Sequence, residues 1–169
     1  MPEFDVVSLP ETDHVAEGEA APDFTRPLVN QEYWEDRTLS GLVDEPTLLV
    51  FHPMDGAFQA TYLYNTVDDH GWADDLQVLG LSISTPYAHK RLLAERGEGV
   101  RIFSDPGAGV IEAYGTAHDI DGMTGVTETR PAVFLLDADR TVEYAWVASD
   151  HPEFPDAEAI DDAIADLLD

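Results

Sequence analysis

The order of apolar and polar residues predicts alternating strands and helices in the middle of the chain. Residues 47–52 form a nearly continuous apolar run that ends at Pro53, which is typical of a buried parallel strand. Residues 76–84 have the same character. Between the two runs, apolar residues recur with helical spacing over 58–70, and Gly71 follows as the expected C-terminal cap. This order of strand, helix and strand predicts a βαβ unit with parallel strands.

The remaining residues predict helices on either side of a short strand, then a hairpin and a closing helix. These elements are a helix capped by Ser84 or Thr85 that continues to Gly97, a strand over 100–103, a helix over 110–114, hairpin strands over 132–137 and 141–147, and a helix from Asp156 that buries Ile160, Ile164, Leu167 and Leu168. Residues 116–129 are predicted as a loop. The whole order predicts an α/β thioredoxin-like fold, with a central mixed sheet flanked by helices.

The first twenty residues differ in character from the rest. Six acids and weak apolar periodicity over 1–20 favour a solvated acidic leader, with a short strand around Phe4, Val6 and Val7 as the alternative. We therefore expect one domain over 21–169. No apolar run is long enough to span a membrane, and the acidic start does not resemble a secretory signal, so we expect a cytoplasmic protein.

Acidic residues dominate the charge. The 169 residues include 35 Asp and Glu but 8 Lys and Arg, which gives a formal net charge of −27. Such a surface repels phosphate, so nucleic acids and anionic membranes are not expected partners. An acid-rich chain with a single lysine predicts a protein from an organism that accumulates salt, because concentrated salt screens the repulsion. The alternative is an ordinary acidic protein with a basic partner.

The chain contains no cysteine. Disulfides, thiolate metal sites and thiol nucleophiles are therefore excluded. The six histidines show no helical pair at i and i+4, and the acidic runs lack the spacing of a calcium loop. From these spacings we expect neither a metal centre nor a cofactor.

Six stretches resemble, in order and spacing, the landmarks of peroxiredoxins of the alkyl hydroperoxide reductase and thiol-specific antioxidant type, within the redoxin superfamily. The stretches are 21–24, 48–53, 82–89, 103–105, 113–115, and Arg130 with the hairpin that follows it. The resemblance covers roughly residues 20–150 and implies the peroxiredoxin variant of the thioredoxin-like fold. It also implies an ancestry among antioxidant oxidoreductases, and a possible homodimer.

The resemblance places a degenerate site at the start of the first long helix. Pro53, Thr61 and Arg130 match the family's motif, whereas Ala57 stands at its hydroxyl position and Ala60 at the position of the peroxide-attacking cysteine. A methyl group has no lone pair with which to attack a peroxide, so thiol peroxidase activity is predicted to be absent. Because more than the cysteine position departs from the motif, we interpret the loss as natural rather than engineered. The chain is then an inactive homologue with a binding or regulatory role.

Other interpretations stay open at this stage. A redoxin-superfamily enzyme could work without cysteine through His52, Asp55 and Arg130, or the chain could pair with an active peroxiredoxin. His52 alone fits a packed polar ring equally well. Arg130 fits either a site for a small anion or an ion pair with Asp55 or another acid. The resemblance further predicts a cis bond between Arg130 and Pro131.

Overall fold

The computed structural model describes residues 5–96, 99–120 and 122–169. Its strands are β1 (Val7–Ser8), β2 (Thr25–Val29), β3 (Trp34–Thr38), β4 (Thr47–Phe51), β5 (Gln77–Ser82), β6 (Val100–Ser104), β7 (Ala117–His118), β8 (Glu128–Thr129), β9 (Ala132–Leu136), β10 (Val142–Val147) and β11 (Asp150–His151). Its helices are α1 (Leu39–Leu42), α2 (Phe58–His70), α3 (Trp72–Asp75), α4 (Pro86–Arg96), α5 (Gly109–Tyr114) and α6 (Ala157–Leu168). The predicted end of α4 at Gly97 lies outside the described residues.

A seven-stranded mixed sheet organises the molecule, with strand order β10-β9-β4-β5-β6-β2-β3. Strands β4, β5 and β6 are parallel to one another. On one side β9 pairs antiparallel with β4 and β10 antiparallel with β9, and on the other side β2 pairs antiparallel with β6 and β3 antiparallel with β2. All five residues of β4 are buried, as expected of a central strand covered on both faces. The α/β fold with a central mixed sheet flanked by helices is therefore confirmed.

The two faces of the sheet carry separate apolar cores. Alternating residues of β4 divide between them: Leu49 and Phe51 pack in one core with α1 and α5, whereas Leu48 and Val50 pack in the other with α2, α4 and α6. Helix α6 contributes the buried residues Ile160 and Ile164, as predicted. The prediction that Leu168 is buried was wrong. Leu168 is 47% exposed, whereas the preceding Leu167 is partly buried against the core.

Residues 116–129 are not simply a loop. Strands β7 and β8 pair within this segment, Ala117 with Thr129 and His118 with Glu128. The hairpin β2–β3 was also missed, because its residues are largely polar on the edge strand. Neither pair shows the apolar alternation from which a strand is predicted.

Residues 7–20 include several that are bonded to the rest of the domain. Strand β1 pairs with β11 through Val7 and His151, and the main-chain N–H of Val15 donates to the carbonyl of Tyr114 at 3.0 Å. The short strand considered for this segment is thus present at Val7–Ser8, while Phe4 lies outside the described residues. The division of the chain at residue 20 stays a prediction.

The predicted cis bond before Pro131 was wrong. The cis X–Pro bond in the described part of the chain is His151–Pro152. Around Pro131 the chain is extended: the N–H of Arg130 donates to the carbonyl of Thr116 at 2.8 Å, and the N–H of Ala148 donates to the carbonyl of Pro131 at 3.0 Å. These hydrogen bonds continue the extended path of β9, which is compatible with a trans peptide bond between Arg130 and Pro131.

None of the helices that the structure describes is both long enough and apolar enough to cross a lipid bilayer.

Candidate functional site

The carboxyl ends of the parallel strands place polar residues at one edge of the sheet. His52 directly follows β4, and its N–H donates to the carbonyl of Leu81 in β5 at 3.1 Å. Ser82 ends β5 and Ser104 ends β6, and both side chains are buried. This edge is where ligands bind in open α/β sheets, because the loops that leave the strands diverge there.

A buried cluster of two histidines and one aspartate occupies this edge. Asp55, in the turn between β4 and α2, contacts both imidazole rings. Its Oδ1 lies 2.7 Å from His52 Nε2, and its Oδ2 lies 2.7 Å from His89 Nδ1. His52 and His89 have no exposed surface, whereas 10% of the Asp55 side chain is exposed. The two imidazoles therefore approach one carboxylate from the interior of the protein.

Tyr64 extends the cluster into the core. Its hydroxyl lies 2.9 Å from Nδ1 of His52, and the two rings meet edge to face with centroids 5.2 Å apart. When His52 is neutral and donates through Nε2 to Asp55, its Nδ1 accepts a hydrogen bond from the Tyr64 hydroxyl. Both nitrogens of this ring are thus held, and the orientation of the imidazole is determined.

The close fit of Tyr64 depends on a glycine in β5. A Cβ atom on Gly80 would lie 2.1 Å from the Tyr64 hydroxyl oxygen and 3.2 Å from a side-chain carbon of Ile102. The Tyr64 hydroxyl therefore rests on the main chain of β5 where any other residue would project a side chain. The apolar sequence of this strand conceals that role, which only the packing reveals.

Serine hydroxyls position the carboxylate from the other side. The N–H of Asp55 donates to Oγ of Ser84 at 3.0 Å, and the N–H of Ser84 donates to Oγ of Ser82 at 3.0 Å. Ser82 Oγ in turn lies 3.5 Å from Asp55 Oδ1, and the Ser104 hydroxyl donates to the carbonyl of Ser84. The turn that carries Asp55 is consequently tied to the ends of β5 and β6.

The surroundings shift the pKa values of Asp55, His52 and Tyr64. Burial works to raise the pKa of Asp55, but the hydrogen bonds from His52 and His89 outweigh it and hold the pKa well below its usual range. Burial lowers the pKa of His52, although Asp55 partly opposes this change. Burial also raises the pKa of Tyr64, and the Asp55 charge adds to that effect. The cluster therefore holds an ionised carboxylate beside a phenol that keeps its proton.

His89 was not predicted as a site residue. Its N–H donates to the carbonyl of Thr85 in the first turn of α4, and its ring faces Asp55. The sequence did contain a signal for His89: His52 follows one predicted parallel strand, and the helix that carries His89 follows the next. The carboxyl ends of adjacent parallel strands lie at one edge of the sheet. A search for histidine pairs within one helix could not detect a cluster built from three separate elements.

The positions that the resemblance assigned to the degenerate motif gather at the start of α2. Ala60 is fully buried in the first turn, Pro53 is buried before it, and Thr61 is exposed. Ala57 is the N-cap residue of α2 and makes no side-chain capping hydrogen bond. The N-terminal end of this helix thus carries a methyl group at the position where the resemblance expects a thiol.

Arg130 does not join the cluster. Its guanidinium donates through Nη1 to the carbonyl of Ala148 at 3.3 Å and through Nη2 to the carbonyl of Pro10 at 2.5 Å, and 4% of the residue is exposed. Burial lowers its pKa. Of the three residues predicted to form a cysteine-independent site, the structure brings His52 and Asp55 together, and Arg130 instead holds two main-chain carbonyls.

The ion pair between Arg130 and Asp55 that was considered as an alternative is not formed, and Asp55 contacts the two histidines instead. The reason is geometric, since Asp55 lies in the turn after β4 and faces the helix that follows β5. Nε of Arg130 has no acceptor among the described residues. An anion beside this arginine stays a prediction.

Comparison with known proteins shows the family and the fold of this chain. The model of the AhpC/TSA family matches residues 18–145. No curated protein matches the sequence. One similar solved structure is peroxidoxin BcpB from Mycobacterium tuberculosis, with 23% identity and a TM-score of 0.74 over 92% of this chain and 97% of that one. Another is the reduced 2-Cys peroxiredoxin of Plasmodium vivax, with 21% identity and a TM-score of 0.72 over 90% of this chain and 96% of that one. The thiol peroxidase of Chromobacterium violaceum is also similar, with 20% identity and a TM-score of 0.73 over 96% of this chain and 90% of that one. At these identities the structures establish the fold.

Proposed function

The chain belongs to the AhpC/TSA family and lacks the peroxidatic cysteine, and we propose that it acts as a binding or regulatory member rather than as a thiol peroxidase. The observation that carries this proposal is chemical. Reduction of a peroxide by this family's route requires a thiolate that attacks one oxygen, and none of the 169 residues is cysteine.

The positions of Ala60 at the start of α2 and of Arg130 support the same conclusion. In our assignment Ala60 stands at the cysteine position, and its methyl group is fully enclosed by the protein. The arginine that the motif retains, Arg130, is used to hold main-chain carbonyls of Pro10 and Ala148. Neither residue is arranged to activate a peroxide.

A cysteine-independent enzyme that uses His52, Asp55 and Arg130 together is less well supported. The first two residues are in contact, but the Arg130 guanidinium is bonded elsewhere. No atom with the nucleophilicity of a thiolate lies in the described cluster, whose donors are imidazole, carboxylate and phenol.

We also propose that the chain forms a homodimer through an aromatic surface at the start of α2. Phe58, Tyr62 and Phe154 are 38%, 56% and 44% exposed, and their rings pack edge to face with centroids 5.2 to 6.3 Å apart. Aromatic side chains are enriched in protein interfaces. A second copy would remove these rings from water.

A salt-rich cytoplasm is the proposed environment. A net charge of −27 on 169 residues disfavours the folded state in dilute buffer and keeps the protein dispersed in concentrated salt. Both effects suit a protein that works in molar KCl.

The experiment for the proposed function is a peroxide assay in molar KCl. Hydrogen peroxide and an organic hydroperoxide are each supplied with dithiothreitol, and their consumption is compared with that of an active thiol peroxidase. We expect the rate to equal the protein-free rate. Turnover that is abolished in Arg130→Ala or His52→Ala would contradict the proposal.

Sedimentation of the same sample tests the assembly. A dimer is expected for the native chain and a monomer for the double variant Tyr62→Glu and Phe154→Glu. The matched control is Tyr87→Glu, since Tyr87 is 75% exposed and lies on α4. A monomeric native protein would contradict the proposed homodimer, and capture of an active peroxiredoxin from a high-salt lysate would favour a mixed assembly.

A further inference from the structure

We propose that His52, Asp55 and His89 form a binding site for one divalent transition-metal ion of the zinc type. The three side chains come from the end of β4, the turn before α2 and the first turn of α4. One ligand atom from each lies within 4.8 Å of the other two. This site uses residues that the lost thiol chemistry does not need.

The geometry is that of a ligand set around a small ion. The nitrogen-to-oxygen distances of 2.7 Å, from His52 Nε2 and from His89 Nδ1 to the carboxylate, are shorter than the separation of about 3.3 Å between two ligands of a tetrahedral zinc ion. Each imidazole would therefore move outward by about half an ångström to admit the metal. The three ligand atoms come from separate elements and already lie within 4.8 Å of one another.

The donor atoms indicate the class of ion. Two imidazole nitrogens and one carboxylate oxygen suit zinc, iron, cobalt and nickel, whereas magnesium and calcium prefer sites made of oxygen atoms. Three protein ligands leave one position of a tetrahedral ion for water or a ligand.

Tyr64 provides the support that metal-bound histidines usually have. With His52 Nε2 bound to a metal, Nδ1 carries the ring proton and donates a hydrogen bond to the Tyr64 oxygen, 2.9 Å away. A phenol oxygen can accept a hydrogen bond as well as donate one. The same hydroxyl can donate to His52 when the metal is absent, which lets the ring keep one orientation in both states.

A cleft connects the cluster to the surface. Its volume is about 500 Å3, and Asp55, Gly56, Tyr87 and Ala88 are among the residues that line it. Asp55 is the one ligand with exposed surface and lies in this cleft, while both histidines lie behind it. An ion can therefore enter along the carboxylate, and a small ligand could reach the open position from the same side.

The chelator-treated full-length protein in molar KCl provides the test, with Zn²⁺ and Co²⁺ as probes. We expect one ion per chain by equilibrium dialysis, a rise in melting temperature with Zn²⁺, and visible Co²⁺ absorption typical of four-coordinate cobalt. Asp55→Asn and His89→Gln should each weaken Zn²⁺ binding by at least about 10-fold. An excess of Mg²⁺ should not compete.

The matched control is His70→Gln. His70 Nδ1 contacts Asp161 Oδ2 at 2.8 Å, but this exposed pair has one imidazole instead of two. Zn²⁺ binding unchanged in this variant, together with loss in the two site variants, supports the proposal. Absence of a stoichiometric ion in the native chain overturns it, as does Zn²⁺ binding that survives Asp55→Asn. The native melting curve with and without Zn²⁺ decides the matter even if a variant fails to fold.

Discussion

At the level of single residues, Gly80 in β5 leaves room for the Tyr64 hydroxyl beside His52, because it carries no Cβ atom. The Tyr64 oxygen occupies the volume in which a Cβ of residue 80 would lie. Because Tyr64 is 2% exposed and holds His52, it has little freedom to move. A methyl group at residue 80 would therefore disturb the cluster from a distance.

We expect Gly80→Ala to lower the free energy of unfolding by about 1–3 kcal/mol. The cost should be smaller in a Tyr64→Phe background, because the hydroxyl that meets the new methyl group is then absent. Denaturant unfolding of the four proteins of this cycle measures the coupling. Gly56→Ala, where a Cβ meets nothing within 4 Å, should stay within about 0.5 kcal/mol of the native chain. Equal costs of Gly80→Ala in both backgrounds would contradict this account of the packing.

A second residue-level prediction concerns Ala60→Cys. We expect the new thiol to react with hydrogen peroxide no faster than a free cysteine, because burial raises a thiol pKa and Arg130 is bonded to carbonyls. The measurement is the peroxide rate constant of the variant, by stopped flow at neutral pH. Fast peroxide reduction by this single variant would show that the site remains activated and that only the sulfur is missing.

At the level of elements, two of the long helices that flank the sheet, α2 and α6, begin differently. In α6 the Asp156 carboxylate accepts from the N–H groups of Glu158 and Ala159 at 3.1 and 3.3 Å. In α2 the N-cap is Ala57, whose side chain makes no such bond. Its extended main chain, with φ of −74° and ψ of 143°, is the conformation of an ordinary N-cap.

The two caps predict opposite effects on stability. Ala57→Ser should raise the free energy of unfolding by about 0.5–1 kcal/mol, since a hydroxyl at an N-cap can accept from a main-chain N–H of the first turn, as the Asp156 carboxylate does in α6. Asp156→Ala should lower it by about 1 kcal/mol for the converse reason. Chemical denaturation of both variants checks the pair. A loss of stability in Ala57→Ser would mean that the space around the N-cap excludes a hydroxyl.

At the level of the whole molecule, charge sets the conditions under which the chain folds. The excess of acids over bases cannot be paired internally, although Arg26 contacts the buried Asp105 at 3.0 Å and Arg96 contacts Asp68 at 2.9 Å. Repulsion between the unpaired carboxylates opposes compaction and extends over about 10 Å at 0.1 M salt, but over about 3 Å at 1 M.

We expect the melting temperature to rise by about 5 °C or more between 0.1 and 2 M KCl, which corresponds to about 2 kcal/mol for a chain of this length. Thermal unfolding followed by circular dichroism across a KCl series measures the effect. A comparison with tetramethylammonium chloride separates screening from binding of a particular cation. Equal stability at low and molar salt would contradict the salt-rich environment proposed for this protein.

The sequence by itself determined the elements whose residues carry a strong apolar pattern. The bounds of α2, the glycine that ends it and the buried strands β4, β5 and β9 follow from local spacing, because burial on one or both faces imposes a period. The same spacing supported the family resemblance. Absence of cysteine is also a property of composition and excludes thiol chemistry whatever the fold.

The tertiary structure decided which distant residues meet. His89 joins His52 and Asp55 only because β4 and β5 are adjacent and parallel, so that the segments leaving them share one edge. Arg130 was expected in that site but bonds the carbonyl of Pro10, 120 residues away in sequence. Local periodicity carries no information on such contacts, since they depend on the order of strands and on where each connecting segment crosses the sheet.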